Sequence, residues 1–426
     1  MKKKLFSLAM AAMLSVSLLS GCGGSGGSSD TSSDATEDSA SADTSDESSD
    51  AEEADDTASD EAESTEGGEG AFYIGGIGPT TGAAASYGSA VMNAGQIAID
   101  EINEAGGVNG SQLAYRFEDD VHDPEKSVNA YNSLKDWGMQ ILMGTVTTSP
   151  CIAVAAESSA DNMFEITPSA SSTDVIDTNE NVFQVCFTDP NQGTASADYI
   201  ADTLGDISKV AVIYNSADVY SQGIHDTFVD EADVKGLEVV SDTAFTDDTK
   251  TDFSTQLQKA QEGEAELVFL PIYYQEASII LQQAKDMGYA PTFFGVDGMD
   301  GILTLEGFDT SLAEGVMLLT PFSADADDEK TQNFVSKYQE EYGDVPNQCG
   351  ADAYDAIYII KQAIEESGVT PDMSIDEMGS TLCETMKGMT FDGGITGESM
   401  QWDENGAVNK DPKAVVIKDG AYQSMD

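Results

Sequence analysis

The feature that most constrains the fold of this chain is a regular alternation of short apolar runs with helical periods, which begins near residue 71. "FYIGGI" predicts a first strand, and the segment from Tyr87 to Glu104 places Val91, Ala94 and Ala98 on one helical face. "LAYRFED", "QILMG" and "MFEIT" predict further strands, separated by helical segments. This alternation is typical of βα units, in which helices connect parallel strands.

The alternation restarts after "VFQVCFTDPNQG", near residue 190. "KVAVIY", "LEVVSDTAF", "ELVFLPI" and "TFFGV" predict strands, and the helices between them begin at "YSQG", "DFSTQ" and "EASII". Two more helices and the short strand-like pieces "GESMQWD" and "KAVVIKDG" follow. About 356 residues are too many for one typical core, so the sequence predicts an α/β protein with two lobes, each built on a parallel sheet.

The first 22 residues have the features of a secretory signal. A basic start, Lys2 to Lys4, precedes a mostly apolar run from Leu5 to Leu19 that is short for a membrane span. The residues "LSGC" resemble the lipobox of bacterial lipoproteins, in which the cysteine is lipidated and becomes the new N-terminus. This resemblance implies a lipid anchor on Cys22 and a location outside the cytoplasm; an ordinary signal peptide is the alternative.

Residues 23–70 consist almost wholly of Gly, Ser, Thr, Ala, Asp and Glu, with 17 acidic residues and no Lys or Arg. Such a segment buries too little apolar surface to offset the entropy of ordering, and its charges repel one another. We therefore expect a disordered acidic tether between the anchor and the lobes.

The composition argues against several classes of function. The chain has 78 Asp and Glu against 18 Lys and Arg, so a nucleic-acid partner is not expected. With two histidines and no CxxC pair, a metal site is not expected either. A disulfide between Cys349 and Cys383 is conceivable outside the cell, although buried free thiols are the default.

The stretch "IGGIGPTTG" suggests a nucleotide loop, but its details disagree. Its spacing is not G-x-G-x-x-G, and no lysine follows Gly82 as a phosphate-binding loop would require. Pro79 also removes an amide from the turn. We expect no nucleotide and no other cofactor here; bare backbone at a strand end instead permits close approach of another group.

Polar residues follow several predicted strands, at the edge where open parallel sheets bind ligands. Thr145 to Ser149 stand before a helix whose first amides are free, which suits a carboxylate, although simple helix capping by Thr148 or Ser149 is as good an interpretation. Thr167 to Ser172 add hydroxyls and backbone amides. In the second half, Tyr220, Tyr273, Tyr274 and Asp297 follow strands, and Asp297 could hold an ammonium group or simply terminate a turn.

Taken together, these stretches resemble the branched-chain amino-acid (Leu/Ile/Val) binding family of ABC uptake systems, which has the type I periplasmic-binding-protein fold. The matching pieces run in order through residues 71–426 and include "IGGIGPTTGAAASYG", "AIDEINEAGGVNG", "MGTVTTSP", "ITPSASS", "FTDPNQG", "VYSQG" and "GVDG". The resemblance implies two Rossmann-like lobes joined by a three-segment hinge. Lobe 1 would comprise residues 71–190 and 321–395, and lobe 2 residues 191–320 and 396–426.

The resemblance also implies the contacts of the ligand. Tyr87 would line the side-chain pocket, and Tyr220 would reach across from lobe 2. Asp297 would bind the α-ammonium group, and Tyr273, or its neighbour Tyr274, would close the pocket. The ligand carboxylate would be bound by the two loops of lobe 1, through Thr148, Ser149, Ser169, Ala170 and Ser171.

The expected function is capture of a small ligand, an amino acid such as a branched-chain one, by a monomeric lipoprotein that delivers it to a permease and its ATPase. The location would be the outer face of the cell membrane or the periplasm. A membrane-tethered sensor of the same fold, which signals through a receptor, is the alternative. An enzyme is not expected, because His122 and His225 stand in no triad-like context and no G-x-S-x-G or H-E-x-x-H motif occurs.

Overall fold

The computed structural model describes residues 64–65 and 67–425. The predicted signal segment, Cys22 and nearly all of the predicted tether lie outside the described residues. The first sheet has six strands in the order β1-β3-β2-β4-β5-β6, and all neighbours are parallel except β1 and β3. Its strands are β1 (Ser64–Thr65), β2 (Phe72–Gly78), β3 (Leu113–Asp119), β4 (Ile141–Gly144), β5 (Phe164–Thr167) and β6 (Val182–Gln184). The helices between them are α1 (Ala85–Glu104), α2 (Pro124–Trp137) and α3 (Thr148–Asp161).

The chain then leaves this sheet and builds a second one. This part contains α4 (Asp189–Thr203), β7 (Lys209–Asn215), α5 (Val219–Lys235), β8 (Glu238–Phe245), α6 (Ser254–Glu262), β9 (Leu267–Leu270), α7 (Tyr274–Met287), β10 (Thr292–Gly295) and β11 (Met317–Thr320). Strands β7 to β11 pair in parallel. Pro at the start of α2 and glycines in the left-handed conformation after α2, α5 and α7 mark the helix ends as their sequences predict.

The last part returns to the first sheet and then crosses once more. Helices α8 (Glu329–Tyr342), α9 (Gln348–Ser367) and α10 (Ile375–Met386) pack with α1 and β5, and a small pair follows, β12 (Thr390–Asp392) and β13 (Ser399–Gln401). Strands β14 (Lys413–Lys418) and β15 (Ala421–Ser424) complete the second sheet on its β11 edge. We call the part built on the first sheet lobe 1 and the part built on the second sheet lobe 2. Both belong to one compact unit, and the predicted two-lobed α/β fold is confirmed.

The chain thus passes between the sheets three times, and a buried ion pair lies where the last crossing meets α9. Lys410 Nζ is 2.7 Å from Asp352 Oδ1 and donates to Thr396 Oγ1 at 2.7 Å. The side chains of Lys410 and Asp352 are 1% and 0% exposed. Gln348 donates to the other Asp352 oxygen and accepts from Thr320 at the second crossing. This network joins the second and third crossing segments to one another through α9.

No helix of the described part of the chain is long and apolar enough to cross a membrane. The helices α4 and α10 and the strand β11 were not predicted from the sequence, and the helix α1 begins two residues before the predicted start at Tyr87. Helix α4 is rich in small and polar residues, and only a few of its buried positions, such as Ala197 and Ile200, are apolar, so its period is weak.

Candidate functional site

The loops that follow the strands of each lobe lie at the surface where the two lobes face one another. In lobe 1, β4 leads to the first turn of α3, and β5 leads to the loop from Pro168 to Ser172. In lobe 2, β7, β9 and β10 lead to the first turns of α5 and α7 and to a 3₁₀ turn from Asp297 to Met299. Helix N-termini and strand ends from both lobes therefore converge, which is the usual ligand position in open parallel sheets.

An inner cavity of about 20 Å³ lies where these loops meet, which is room for about one water-sized group. It is this narrow because the lobes touch across it. Tyr87 of lobe 1 donates a hydrogen bond to the carbonyl oxygen of Gly298 in lobe 2, and the amide of Tyr274 donates to Tyr87 at 3.3 Å. Of the nine residues that the resemblance implies as contacts, six line this cavity: Tyr87, Thr148, Ser169, Tyr220, Tyr273 and Asp297.

Asp297 presents the carboxylate of this cavity. It is 7% exposed; Tyr220 donates to its Oδ1 at 2.6 Å and Gln192 Nε2 to its Oδ2 at 2.9 Å. Burial raises the pKa of Asp297 to about 7, and the hydrogen bond from Tyr220 opposes that rise. A carboxyl group so close to half-ionised at neutral pH is stabilised in its charged form by any cation that reaches it.

Three tyrosines line the inner cavity, and a fourth packs against one of them. Tyr220 and Tyr273 stack with ring centroids 4.8 Å apart and planes 5° apart, and Tyr87 packs against Tyr273 at 5.7 Å. Tyr274 packs edge-on against Tyr87 at 5.0 Å, on the side away from the cavity, and its hydroxyl accepts from the amide of Ser86 at 3.3 Å. Between the two neighbouring tyrosines, Tyr273 is therefore the one that lines the inner cavity.

Some hydroxyl groups in the two loops of lobe 1 form hydrogen bonds within the protein, and others do not. Ser169 Oγ donates to the carbonyl of Val146 at 2.7 Å, and the amide of Ala170 donates to Thr167 Oγ1 at 3.0 Å. Thr147 precedes α3 without a side-chain capping bond, so the first-turn amides of the helix are not capped by it. The hydroxyl of Ser171 is buried and has no hydrogen-bond partner among the described residues.

Asp189, at the start of α4, is a residue that the sequence reasoning missed. It is 1% exposed, and neither oxygen of its carboxylate has a hydrogen-bond partner among the described residues. Its amide donates to the carbonyl of Ser171 at 2.9 Å, which places it beside the unpartnered hydroxyl. Burial raises the pKa of Asp189 well above its usual range; the neighbouring Ser171 hydroxyl opposes this rise, and the Asp297 carboxylate adds to it. A buried carboxyl without a partner costs stability unless it stays protonated or meets a cation.

Comparison with known proteins identifies the family. The family model described as "Periplasmic binding protein" matches residues 71–421. The chain belongs to the periplasmic binding protein family. The fold and family implied by the sequence motifs are therefore confirmed.

Several relatives of this binding protein have names that state a ligand. The Leu/Ile/Val-binding protein homolog 3 of Brucella melitensis is 30% identical over 304 residues, which are 70% of this chain and 80% of that protein. The leucine-, isoleucine-, valine-, threonine-, and alanine-binding protein of Pseudomonas aeruginosa is 26% identical over 313 residues, 73% of this chain and 83% of that protein.

Among solved structures, the leucine-binding protein LivK of Thermotoga maritima is similar with a TM-score of 0.74 at 26% identity, covering 83% of this chain and 98% of that one. LivJ of Streptococcus pneumoniae, solved in complex with isoleucine, has a TM-score of 0.75 at 24% identity with the same coverage, which shows a shared fold.

A second, outer cavity of about 260 Å³ opens beside the inner one in this binding protein. Both lobes line it, and the Tyr273 ring borders both cavities. Ser149 lines the outer cavity and not the inner one, which separates it from its neighbour Thr148. The remaining lining includes His122, Asp218, Lys250 and Glu276, none of which the sequence reasoning assigned to the ligand.

The cysteines of the described part are all free. Cys349 and Cys383 do not pair, and Cys151 and Cys186 are buried thiols. Cys349 lines the inner cavity, where burial raises the pKa of its thiol well above its usual value, so the thiol stays protonated and acts as a small apolar wall. No group of three or more His, Cys, Asp or Glu among residues 64–65 and 67–425 is arranged to hold a metal ion.

Proposed function

We propose that this chain is the extracytoplasmic substrate-binding protein of an ABC importer, that it captures an α-amino acid between its lobes, and that it delivers the ligand to a permease. The observation that supports this most is the placement of opposite partners on opposite lobes. Helix N-terminus and hydroxyl groups face the inner cavity from lobe 1, and the buried carboxylate of Asp297 faces it from lobe 2. An α-amino acid has the two matching charges on adjacent groups. The names of the relatives agree with an amino acid as ligand.

The carboxylate of the ligand would lie at the first turn of α3. Amides at a helix N-terminus attract anions, and Thr148 and Ser149 stand there, with Ser171 and the backbone of Ser169 and Ala170 in the adjacent loop. The hydroxyl of Ser171 forms no hydrogen bond of good geometry among the described residues and lies beside the Asp189 carboxyl, so a ligand carboxylate would compete only with Asp189 for its proton.

The ammonium group of the ligand would be shared by Asp297 and Asp189. An ammonium group between these carboxylates would supply the cation that both lack, and would form charge-assisted hydrogen bonds worth about 1.5–3 kcal/mol each. The tyrosine wall of Tyr87, Tyr220 and Tyr273 would then cover the rest of the ligand. Because the inner cavity measures only about 20 Å³, entry requires the lobes to separate at the three crossings and close again on the ligand.

Asp297→Ala and Asp297→Asn test the ammonium site. Either variant should lower the affinity for the amino acid more than tenfold, measured by calorimetry, while the melting temperature of the free protein does not fall. The amino acid itself is found by a thermal-shift screen of the twenty amino acids, since a ligand at 100 times its Kd stabilises the native state by about 2.7 kcal/mol. Unchanged affinity in Asp297→Asn would show that the ammonium group binds elsewhere.

The proposal includes a lipid anchor on Cys22, a permease with its ATPase as partners, a monomeric state, binding without catalysis, and a position outside the cytoplasmic membrane. The motif "LSGC" supports the anchor. Cys22→Ser should release the protein from the membrane fraction, and its retention there would contradict lipid anchoring.

A further inference from the structure

The outer cavity has a composition that an amino acid with a purely apolar side chain does not need. It measures about 260 Å³, an order of magnitude more than the inner cavity; both lobes line it, and Tyr273 is common to the walls of both cavities. Ser149, one residue after Thr148 of the inner cavity, lies in its wall. A ligand side chain that leaves the inner cavity past Tyr273 therefore enters this space.

The charged groups of the outer cavity are mostly carboxylates. Asp218, Asp247 and Glu276 line it, against Lys250 as the one Lys or Arg of the lining. Lys250 Nζ is 3.6 Å from an oxygen of Asp247 and 3.6 Å from an oxygen of Glu276, longer than a hydrogen bond to either. The side chain of Lys250 is 38% exposed, so it can turn toward solvent at little cost.

Glu276 is the most deeply buried of these carboxylates. It is 8% exposed and stands in the first turn of α7, and its ion pair with Lys250 exceeds hydrogen-bond length. Burial raises the pKa of Glu276, while Lys250 lowers it. Asp218 directly precedes α5; burial raises its pKa to about 7, and the backbone amides of Tyr220 and Ser221 oppose this rise. Glu276 is thus a buried carboxyl and Asp218 a half-buried one, and the protein compensates the charge of each only in part.

The other titratable group of this wall adds no positive charge. His122 lies in lobe 1, with Nδ1 2.8 Å from Thr147 Oγ1 and its ring edge-on to Tyr273 at 5.7 Å. Burial and the neighbouring Lys250 lower the pKa of His122, so the imidazole is neutral near pH 7. Apolar surfaces of Ala83, Phe245 and Ile272 complete the wall and suit methylene groups.

We propose that the outer cavity binds the positively charged end of the ligand's side chain, and that the preferred ligand is an α-amino acid with a cationic side chain. This inference rests on the proposed function, because it takes the zwitterion to be held in the inner cavity. The methylene groups pass beside the Tyr273 ring, and the terminal cation lies between Asp218 and Glu276.

The test compares lysine with norleucine, which has the same carbon chain without the terminal amine. Calorimetry on the full chain should give at least tenfold tighter binding of lysine. Asp218→Asn and Glu276→Gln should each weaken lysine roughly ten- to a hundredfold, the range that one charged hydrogen bond produces, and leave norleucine within about twofold. Lys250→Ala removes a repulsive charge and should tighten lysine. Asp233→Asn, an exposed change on α5, is the matched control and should leave both ligands unaffected.

The outcomes separate this inference from the proposed function. If leucine or norleucine binds at least as tightly as lysine and both carboxylate variants leave every affinity unchanged, the cationic side chain is refuted and amino-acid binding stands. If glutamate is preferred and Lys250→Ala weakens it, the cavity binds an anion and the inference is refuted. If no amino acid binds, the proposed function is refuted together with it. If a variant does not fold, the comparison of lysine with norleucine in the unmodified chain still tests whether a cationic side chain is preferred.

Discussion

The affinity for an α-amino acid should fall steeply when the pH is lowered from 8 to 5. Burial raises the pKa of Asp297 to about 7, and only the ionised carboxylate accepts the ligand's ammonium group. The groups around Asp297 leave the direction of this shift unchanged. Tyr220, Gln192 and the amide of Gly298 stabilise the carboxylate by hydrogen bonds, while Asp352 opposes its ionisation. A free amino acid stays a zwitterion across this range, so the change originates in the protein.

The magnitude follows from the fraction of protein in the binding-competent form. With a pKa of about 7, Asp297 is roughly 90% ionised at pH 8 and about 1% ionised at pH 5. Because the apparent Kd equals the intrinsic Kd divided by that fraction, affinity should weaken roughly a hundredfold. Below pH 7, log Kd should rise by about one for each unit by which the pH is lowered. If Asp189 also loses its proton on binding, the slope should exceed one.

Calorimetry at several pH values, in buffers with different enthalpies of ionisation, measures both the affinity and the protons released. At pH 6 about one proton per ligand should be released, since Asp297 is largely protonated before binding and ionised after it. Asp297→Asn should bind weakly, with a shallower pH dependence than the unmodified protein. An affinity that is constant from pH 8 to 5 in the unmodified protein would refute the assignment of the ammonium group to these carboxylates.

Three further predictions concern stability. Burial raises the folded-state pKa of Asp297 to about 7 and of Glu165 to about 8, so each contributes stability that is present below about pH 4 and is lost as the pH rises through these values; the melting temperature without ligand should therefore fall from pH 5 to 8. Lys410→Ala leaves the Asp352 carboxylate buried without its cation and should cost about 3–5 kcal/mol in urea unfolding, much of which Asp352→Asn should restore in the double variant. Gly88→Ala should destabilise by about 1–3 kcal/mol, because a Cβ there would lie 2.0 Å from the Pro79 carbonyl oxygen, whereas the same change at the open position Gly205 should cost less than about 1 kcal/mol.

The sheets and most of their helices were predictable because their signals are local. Central strands such as β4 and β9 are continuous apolar runs, as strands buried on both faces must be, and left-handed glycines end several helices. The helix α10 was missed although its signal is present, since Met378, Leu382 and Met386 follow one another at intervals of four residues and are buried. Position 379 in this helix requires glycine because of a contact with a distant part of the chain: a Cβ there would lie 1.9 Å from the carbonyl oxygen of Asn162.

The candidate site was predictable only where family motifs cover it. Residues such as Thr148 and Asp297 stand directly after strands, so their position at the cleft follows from the topology of parallel sheets. Asp189 lies inside the matching piece "FTDPNQG" and was still not assigned to the site, because an acidic residue at the start of a helix is common on stability grounds alone. The outer cavity was missed for another reason. Its lining comes from several separate segments of both lobes, and nothing in the order of the chain shows that His122 and Glu276 share one space.

Gly298 connects ligand binding to the contact between the lobes. A Cβ on Gly298 would lie 2.5 Å from the Tyr220 hydroxyl, so only glycine lets that hydroxyl accept from its amide at 2.9 Å while donating to Asp297. The carbonyl of the same glycine accepts the hydrogen bond from Tyr87 of lobe 1. The carboxylate proposed to hold the ammonium group and the contact that joins the lobes therefore occupy adjacent residues. A ligand whose carboxylate binds lobe 1 and whose ammonium binds Asp297 must bring these two residues toward Tyr87. Under the proposed function, closure is thus a consequence of recognising both ends of one zwitterion, and a simple amine or a simple carboxylic acid, which engages one lobe only, gains no such closure.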